Sequence, residues 1–488
     1  MSALLEERLG EANAAVHLKL PRIALLETRD LLHDVAHERR ARPVDALERL
    51  RGDVLGEPVE CPRDRIRRVR DAWPVRGEDL IGAASEQERI GHGSSSWART
   101  VPETLRNPLY HWTHMELARP FGIHALLNPE TARGVFDRCN ERLREDGFTA
   151  LALLRTFKVA VVCTTDDPAD SLEPHARLAR RADPVTRVYP TWRPDRALAV
   201  EDPAAWNAWV GRVEAASGLA VSGLGSFLEA VDQRHQAFHE RGCRASDHGL
   251  ETVPSAPWAD AEVSSSFDKV RAGRALEAGE ALRLRSALLH RMALMDHQRG
   301  WVQQFHLGAL RNNSTRMRAA AAENVGCDSM GDFEMARPLA RFLDGLDRQA
   351  ALPKTILYNV NPADNELFAT MAGSFNDGSV PGKMQYGAAW WFLNQKDGNE
   401  AQLRTVSNMG LLSHFVGMVT DSRSFLSYPR HDYFRRLLCN LFGEDLLRGR
   451  VPDDREMLGR LIAKVCFANA RDYFGLPLGT AASPHAAA

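Results

Sequence analysis

Lysine is almost missing from this chain. Its 488 residues include only Lys19, Lys158, Lys269, Lys354, Lys383, Lys396 and Lys464, so 55 of the 62 basic side chains are arginine. Against 64 acidic residues they leave a formal charge of −2, which excludes a polycation built to hold nucleic acid or anionic lipid. Cysteine is sparse as well. Seven cysteines are scattered singly with no Cys-x-x-Cys, which speaks against a disulfide framework or a cysteine zinc cluster and fits a reduced cytoplasm. No run approaches the roughly 18 apolar residues a membrane span needs. Acidic residues interrupt the opening MSALLEERLG, so no signal peptide is expected. Hydrophobic residues still make up 44% of the chain, far more than a disordered protein carries, and a soluble globular fold is expected.

From residue 157 onward a pattern recurs: a short apolar or β-branched run stops abruptly at charged, amide or histidine residues. It occurs in FKVAVVCTTDDP (157–168), TRVYPTWRPD (186–195), CRASDHG (243–249), WVQQFHLGALRNN (301–313), TILYNVNPADNE (355–366), KMQYGAAWWF (383–392) and FVGMVTDSRS (415–424). These are seven predicted strands, and LPRIALLE (20–27) supplies an eighth. Segments with helical periodicity, such as 274–298 and 399–415, lie between them. Alternating strands and helices predict a parallel sheet buried on both faces, and eight strands are what a closed (β/α)₈ barrel needs.

In such a barrel the chemistry sits where the strands end. Asp166, Asp167, Arg193, Asp195, Asp247, His248, His306, Arg311, Asn361, Trp390, Asp421 and Arg423 are therefore expected to ring one mouth. For any one of the polar clusters, the competing reading is an ordinary turn with an Asp or Asn helix cap.

The segments TVPETLRNPLYHWTHMELARPFGI (100–123), CTTDDPADSLEPH (163–175), WRPD (192–195), GCRASDHGLET (242–252), FHLGALRNNSTRM (305–317), LPKTILYNVNPADNELFATM (352–371), WWFLNQKDG (390–398) and GMVTDSRSFLSYPRHDYFRRLLCNLFG (417–443) resemble uronate isomerase, also called glucuronate isomerase. The resemblance runs from about residue 97 to 475. It implies a distorted (β/α)₈ TIM barrel of the amidohydrolase type with helical insertions. The implied activity interconverts D-glucuronate with D-fructuronate, and D-galacturonate with D-tagaturonate, by moving a proton between C1 and C2. It further implies catalytic roles for Asp421, Arg423 and His306, substrate contacts from Arg193, Arg311 and Trp390, and a Zn²⁺ ion held in part by Asp421. The residue chemistry agrees. An arginine fork matches a planar carboxylate, and an enediolate intermediate needs a base and a donor for the developing oxyanion.

The domain reading follows the same lines. Residues 1–27 are expected to form an N-terminal helix and first strand, 28–156 a mostly helical insertion in which 38–95 diverges, 157–475 the rest of the barrel, and 476–488 a disordered tail. The expected partners are a small-molecule uronate and further copies of the same chain, in the cytoplasm, without nucleic acid or membrane.

One part of the family pattern is absent. Its members carry a His-x-His metal pair in a DYHCHL-like segment, whereas LPRIALLETRDLLHDVAHERR (20–40) stands here and no His-x-His occurs anywhere in the chain. A GDHYKW-like motif that supplies a tyrosine is replaced by GDVLGEP (52–58), and no tyrosine precedes Tyr110. His33 and His37, four apart, can share a metal on one helical face, but such a pair more often faces solvent, and the same holds for His235 and His239. His111 and His114 are expected to be structural. The missing pair admits a second reading, a homologue kept as a binding or scaffold barrel, and a third, a hydrolase with a mononuclear metal.

Overall fold

The computed structural model describes residues 96–180, 186–321, 326–418, 420–422 and 424–478. The candidate first strand, His33, His37, Arg423 and most of the C-terminal tail lie outside the described residues. Among those described, the chain is α/β. Strands β1 (Val161–Cys163), β2 (Arg187–Tyr189), β3 (Ala245–Leu250), β4 (Val302–Leu307), β7 (Lys354–Asn359) and β8 (Met384–Tyr386) stand side by side in chain order, all parallel. Trp192 joins the first two to the rest: it bridges Asp166 on one side and Ser246 on the other. A small antiparallel ribbon, β5 (Ala309–Leu310) with β6 (Ser329–Met330), lies beyond the end of β4. Six neighbouring parallel strands in sequence order form the wall of a distorted (β/α)₈ barrel, and they correspond to six of the seven strands predicted from residue 157 onward.

The seventh, 415–424, departs from the expectation. It carries no backbone ladder among the described residues, because Gly417 (φ 80°) and Asp421 (φ 41°) break the extended conformation. Side chains hold it instead. Gln385 of β8 donates to His414 O and accepts from Val416 N, both at 3.0 Å, and Asn469 donates to Ser413 O and Phe415 O.

The wall forms because both its faces are covered. Every residue of β4 is buried, and the amphipathic helix Ala336–Asp347 buries Leu339, Phe342, Leu343 and Leu346 in the same core, with Phe342 edge-on to Phe305 of β4. Residues 196–240 form two helices rather than a loop. In the second, Leu224–Glu240, His235 and Phe238 pack their rings against Trp192. This corrects the solvated face expected for His235. The side chain is fully buried, stacks on Trp301, and gives Nε2 to Asp296 at 3.0 Å, so its partner and not water offsets the burial of a polar ring. His239 is tied in the same way, accepting at Nδ1 from Trp301 Nε1.

A second apolar cluster lies beside the barrel. The helices Pro108–Phe121, Ala132–Leu143 and Ala150–Thr156 bury Leu117, Phe121, Val135, Cys139, Leu153 and Leu154 with Val162 of β1 and Tyr428. His114 is internal to this unit, accepting at Nε2 from Leu127 N and donating from Nδ1 to Tyr110 O. An Arg119–Asp432 ion pair and a His111–Tyr433 contact fasten Pro108–Phe121 to the helix Pro429–Leu447. The first of these helices is thereby held alongside the end of the barrel's last segment.

Asp296 also accepts from Ser246 Oγ at 2.6 Å and so pins β3 to its outer helix. Asp296→Ala strands His235 and Ser246 in the core; urea denaturation is expected to show a loss of about 3 kcal/mol, and a loss below about 1 kcal/mol contradicts this role.

Candidate active site

Register decides which side chains look into the barrel. Asp247 and Gly249 of β3 lie beside Gln304 and His306 of β4, and His306 lies beside Tyr358 of β7. With a side-chain period of two, these residues share the inner face. Their neighbours look outward: Ser246 reaches Asp296, and His248 stacks on Phe305.

Asp247 is 1% exposed and holds two partners at once, accepting from His306 Nδ1 at 2.6 Å and from Arg193 Nη1 at 3.0 Å. The carboxylate, paired with Arg193, accepts in this bond, which puts the proton on His306 Nδ1. Arg193 Nε donates to Asp195 Oδ2 at 3.1 Å, and the other oxygen of Asp195 meets His248 Nδ1. Burial works against the charge on Arg193, but Asp247 and Asp195 more than offset it and hold the guanidinium above its ordinary value. Burial likewise raises Asp195, yet Arg193, His248 and the Gly249 N–H together keep it below the usual carboxylate range.

Two glycines make room for this network. A Cβ on Gly249 would lie 2.1 Å from Arg193 Nη2, and one on Gly387 would lie 2.3 Å from the Tyr358 ring. Tyr358 stacks flat on His306 at 4.4 Å, and Trp390 closes the other side edge-on at 4.7 Å. The imidazole is thus boxed by two aromatic rings and one carboxylate.

Asp421 stands where the last segment ends. Its backbone is left-handed at φ 41°, a strained conformation for a non-glycine residue, and its Oδ1 is buried without a hydrogen-bond partner among the described residues. Its charge acts on both Arg193 and Arg430. Arg430 lies 4.3 Å over the Trp112 ring and faces Glu116, which burial pushes up to about 7 against the pull of Arg430.

Arg193, Asp195, Asp247, His248, His306 and Trp390 thus form one connected group, with Asp421 beside it. Arg311 sits at the rim, 38% exposed, 3.9 Å from Asp328 and 4.8 Å over Trp391. Asn361 caps a short helix, accepting from Ala363 N. Asp166 turns to Thr164, and Asp167 to Trp209 and Ala169; both belong to the turn after β1. The sequence reading singled out neither Arg430, Glu116, Trp112 nor Tyr358, although all four fall inside blocks that carry the family resemblance.

The described residues contain no group of three His, Cys, Asp or Glu side chains placed to hold a metal ion. Among the described residues, Asp421 therefore stands without the companion ligands that the expected Zn²⁺ site needs.

A family model described as glucuronate isomerase matches residues 66–474, which extends the resemblance toward the N-terminus. Uronate isomerase of Opitutus terrae is 50% identical over 411 residues, covering 84% of this chain and 86% of its own length. That of Cellvibrio japonicus is 49% identical over 394 residues, covering 80% and 83%. The crystal structure of uronate isomerase from Thermotoga maritima superposes with a TM-score of 0.75 at 27% identity, covering 97% of this chain and 98% of that one. Glucuronate isomerase from Caulobacter crescentus gives 0.72 at 26% identity, covering 79% and 78%. The fold is that of a (β/α)₈ barrel enzyme of the amidohydrolase type. Within that class the chain belongs to the glucuronate isomerase family.

Gly249→Ala forces Arg193 off the sheet. With the fold retained by circular dichroism, kcat/KM is expected to fall about 10²-fold, the usual effect of a misplacement near 1 Å; an unchanged kcat/KM shows that Arg193 does not need this seat.

Proposed function

We propose that this mouth carries out the family's aldose–ketose exchange with Asp421, His306 and Arg423 as the catalytic side chains and Arg193, Arg311 and Trp390 around the substrate. Family membership makes the chain an isomerase of uronic acids that interconverts D-glucuronate and D-fructuronate. The open-chain aldehyde loses its C2 proton to a base, an enediolate forms, and the proton returns at C1. The hydroxyl proton moves from O2 to O1 in the same sequence, so nothing is oxidised or hydrolysed overall.

Asp421 is the base in this reading. The observation that carries it is the buried Oδ1 without a partner, on a strained backbone beside two arginines. His306 relays the hydroxyl proton through Nε2, because the Asp247 carboxylate on Nδ1 raises the basicity of the far nitrogen and stabilises the imidazolium. Trp390 and Tyr358 keep water from the imidazole.

The six described cysteines are all free, which supports a reducing, cytoplasmic setting. No helix among the described residues is long and apolar enough to cross a membrane. The chain acts on a small molecule as a homo-oligomer in this reading.

Incubation of the purified protein with D-glucuronate is expected to produce the keto-uronate, and Asp421→Asn to lower kcat by about 10²- to 10⁴-fold. Equal turnover by the variant removes Asp421 from the base role.

A further inference from the structure

A second cleft lies beside β2. It measures about 520 Å³ and is walled by the helix Glu173–Ala179, by β2, and by the turn that leads from the helix Leu224–Glu240 into β3. None of the residues grouped at the mouth lines it. Arginine dominates its charge: among the described lining residues, Arg180, Arg187, Arg241 and Arg244 face a single acid, Glu240. Glu173 takes Arg180 at 3.0 Å, and Arg244 gives one nitrogen, Nη1, to His239 O and Cys243 O. Arg187 and Arg241 have no ion-pair partner among the described residues.

Two histidines complete the lining, and their neighbours place their protons. An indole nitrogen only donates, so His239 Nδ1 accepts from Trp301 Nε1 at 2.9 Å and the imidazole's own proton sits on Nε2. Thr164 Oγ1 donates to Asp166 Oδ2, which leaves His175 Nε2 to donate to that hydroxyl at 2.7 Å and makes Nδ1 an acceptor. Burial and the charge of Arg241 push His175 down to about 4, so the ring is neutral. His175 is only 6% exposed, and its Nδ1 is buried with no hydrogen-bond partner among the described residues. Buried polar atoms in folded proteins are nearly always matched, so Nδ1 calls for a donor from a ligand.

Charge selects the class of that ligand. With Arg180 tied to Glu173, Glu240 balances one of the three remaining arginines, and the excess matches the near-dianion that a phosphate monoester is at neutral pH. Its three phosphoryl oxygens also suit several guanidinium donors better than the two of a carboxylate. We propose that this cleft binds a phosphate monoester of a small hydroxylated molecule: Arg187, Arg241, Arg244 and His239 Nε2 hold the phosphoryl oxygens, and a hydroxyl of the same ligand donates to His175 Nδ1. Tyr189 supplies a flat wall, its ring set so close to Gly242 that a Cβ there would lie 2.4 Å from it. The site stands apart from the isomerase reading and does not depend on it.

The test is calorimetry on the full chain with inorganic phosphate and with glycerol phosphate, at constant ionic strength. Arg241→Met removes a lining charge, and Arg177→Met, on the helix that carries His175 but outside the cleft, is the control. Both arginines are exposed, so both variants are expected to fold. The wild type is expected to bind both ligands, glycerol phosphate the more tightly because only its glycerol hydroxyls reach Nδ1. Arg241→Met is expected to raise each Kd about tenfold or more, the effect of losing a charge-assisted bond, and Arg177→Met to change it less than about threefold. Saturating D-glucuronate is expected to leave both Kd values where they were. Failure of glycerol phosphate to bind, or binding no tighter than that of inorganic phosphate, overturns the assignment. So does an Arg241→Met effect no larger than that of Arg177→Met, or displacement by D-glucuronate, which places the anion at the mouth instead. The readout is heat of binding, so a chain without isomerase turnover leaves the result intact.

Discussion

One buried carboxylate organises this mouth. Asp247 accepts from His306 on one oxygen and from Arg193 on the other, and through Arg193 it is coupled to Asp195 and His248. A carboxylate buried this deeply needs its partners held in place, so the residues around it are fixed by that same requirement. The link from packing to chemistry is direct: the bond that stabilises the buried acid also sets the tautomer of the imidazole.

Parallel register brings those partners together. β3, β4 and β7 place Asp247, His306 and Tyr358 on neighbouring inner positions, and two positions without a Cβ, Gly249 and Gly387, let the guanidinium and the phenol ring lie flat against the wall. The outer face does the opposite work. Ser246 and His235 meet at Asp296, so the strand that presents Asp247 inward is anchored outward one residue earlier. Rigid support of this kind is what holds a catalytic group to the tolerance the chemistry needs.

Much of the fold could be read in the sequence, and its limits have physical causes. Six strands were visible because each is a β-branched or apolar run cut off by polar residues, as in VVCTTDD or TILYNVN. The segment 415–424 looked the same in composition but depends on left-handed backbone at Gly417 and Asp421, which composition does not encode. Within SDHG the sequence could not say whether Asp247 or His248 faces inward, because both faces of the wall are buried and the alternation that would reveal parity is missing. For that reason Asp166 and Asn361 were expected beside Asp247 and Asp421 and instead serve local turns. Arg430 was hidden by its setting on a helix after the last strand, where an arginine in PRHDYFRR reads as surface charge. Its contact with Trp112 joins residues far apart in the chain and is seen only in the fold.

The missing His-x-His takes on a different weight beside this network. Family identity near 50% extends over most of the chain, and the groups that exchange protons in the proposed mechanism all lie in the region that matches. The central claim is that Asp247, through His306, sets the proton-transfer step. The most direct measurement is the kcat of Asp247→Asn with D-glucuronate, since an amide at this position permits the opposite imidazole tautomer. A fall of about 10²-fold or more in kcat, with the fold intact and KM changed only a few-fold, is the predicted result. A kcat within about threefold of the wild type would contradict the account, because proton transfer would then proceed without the carboxylate said to direct it.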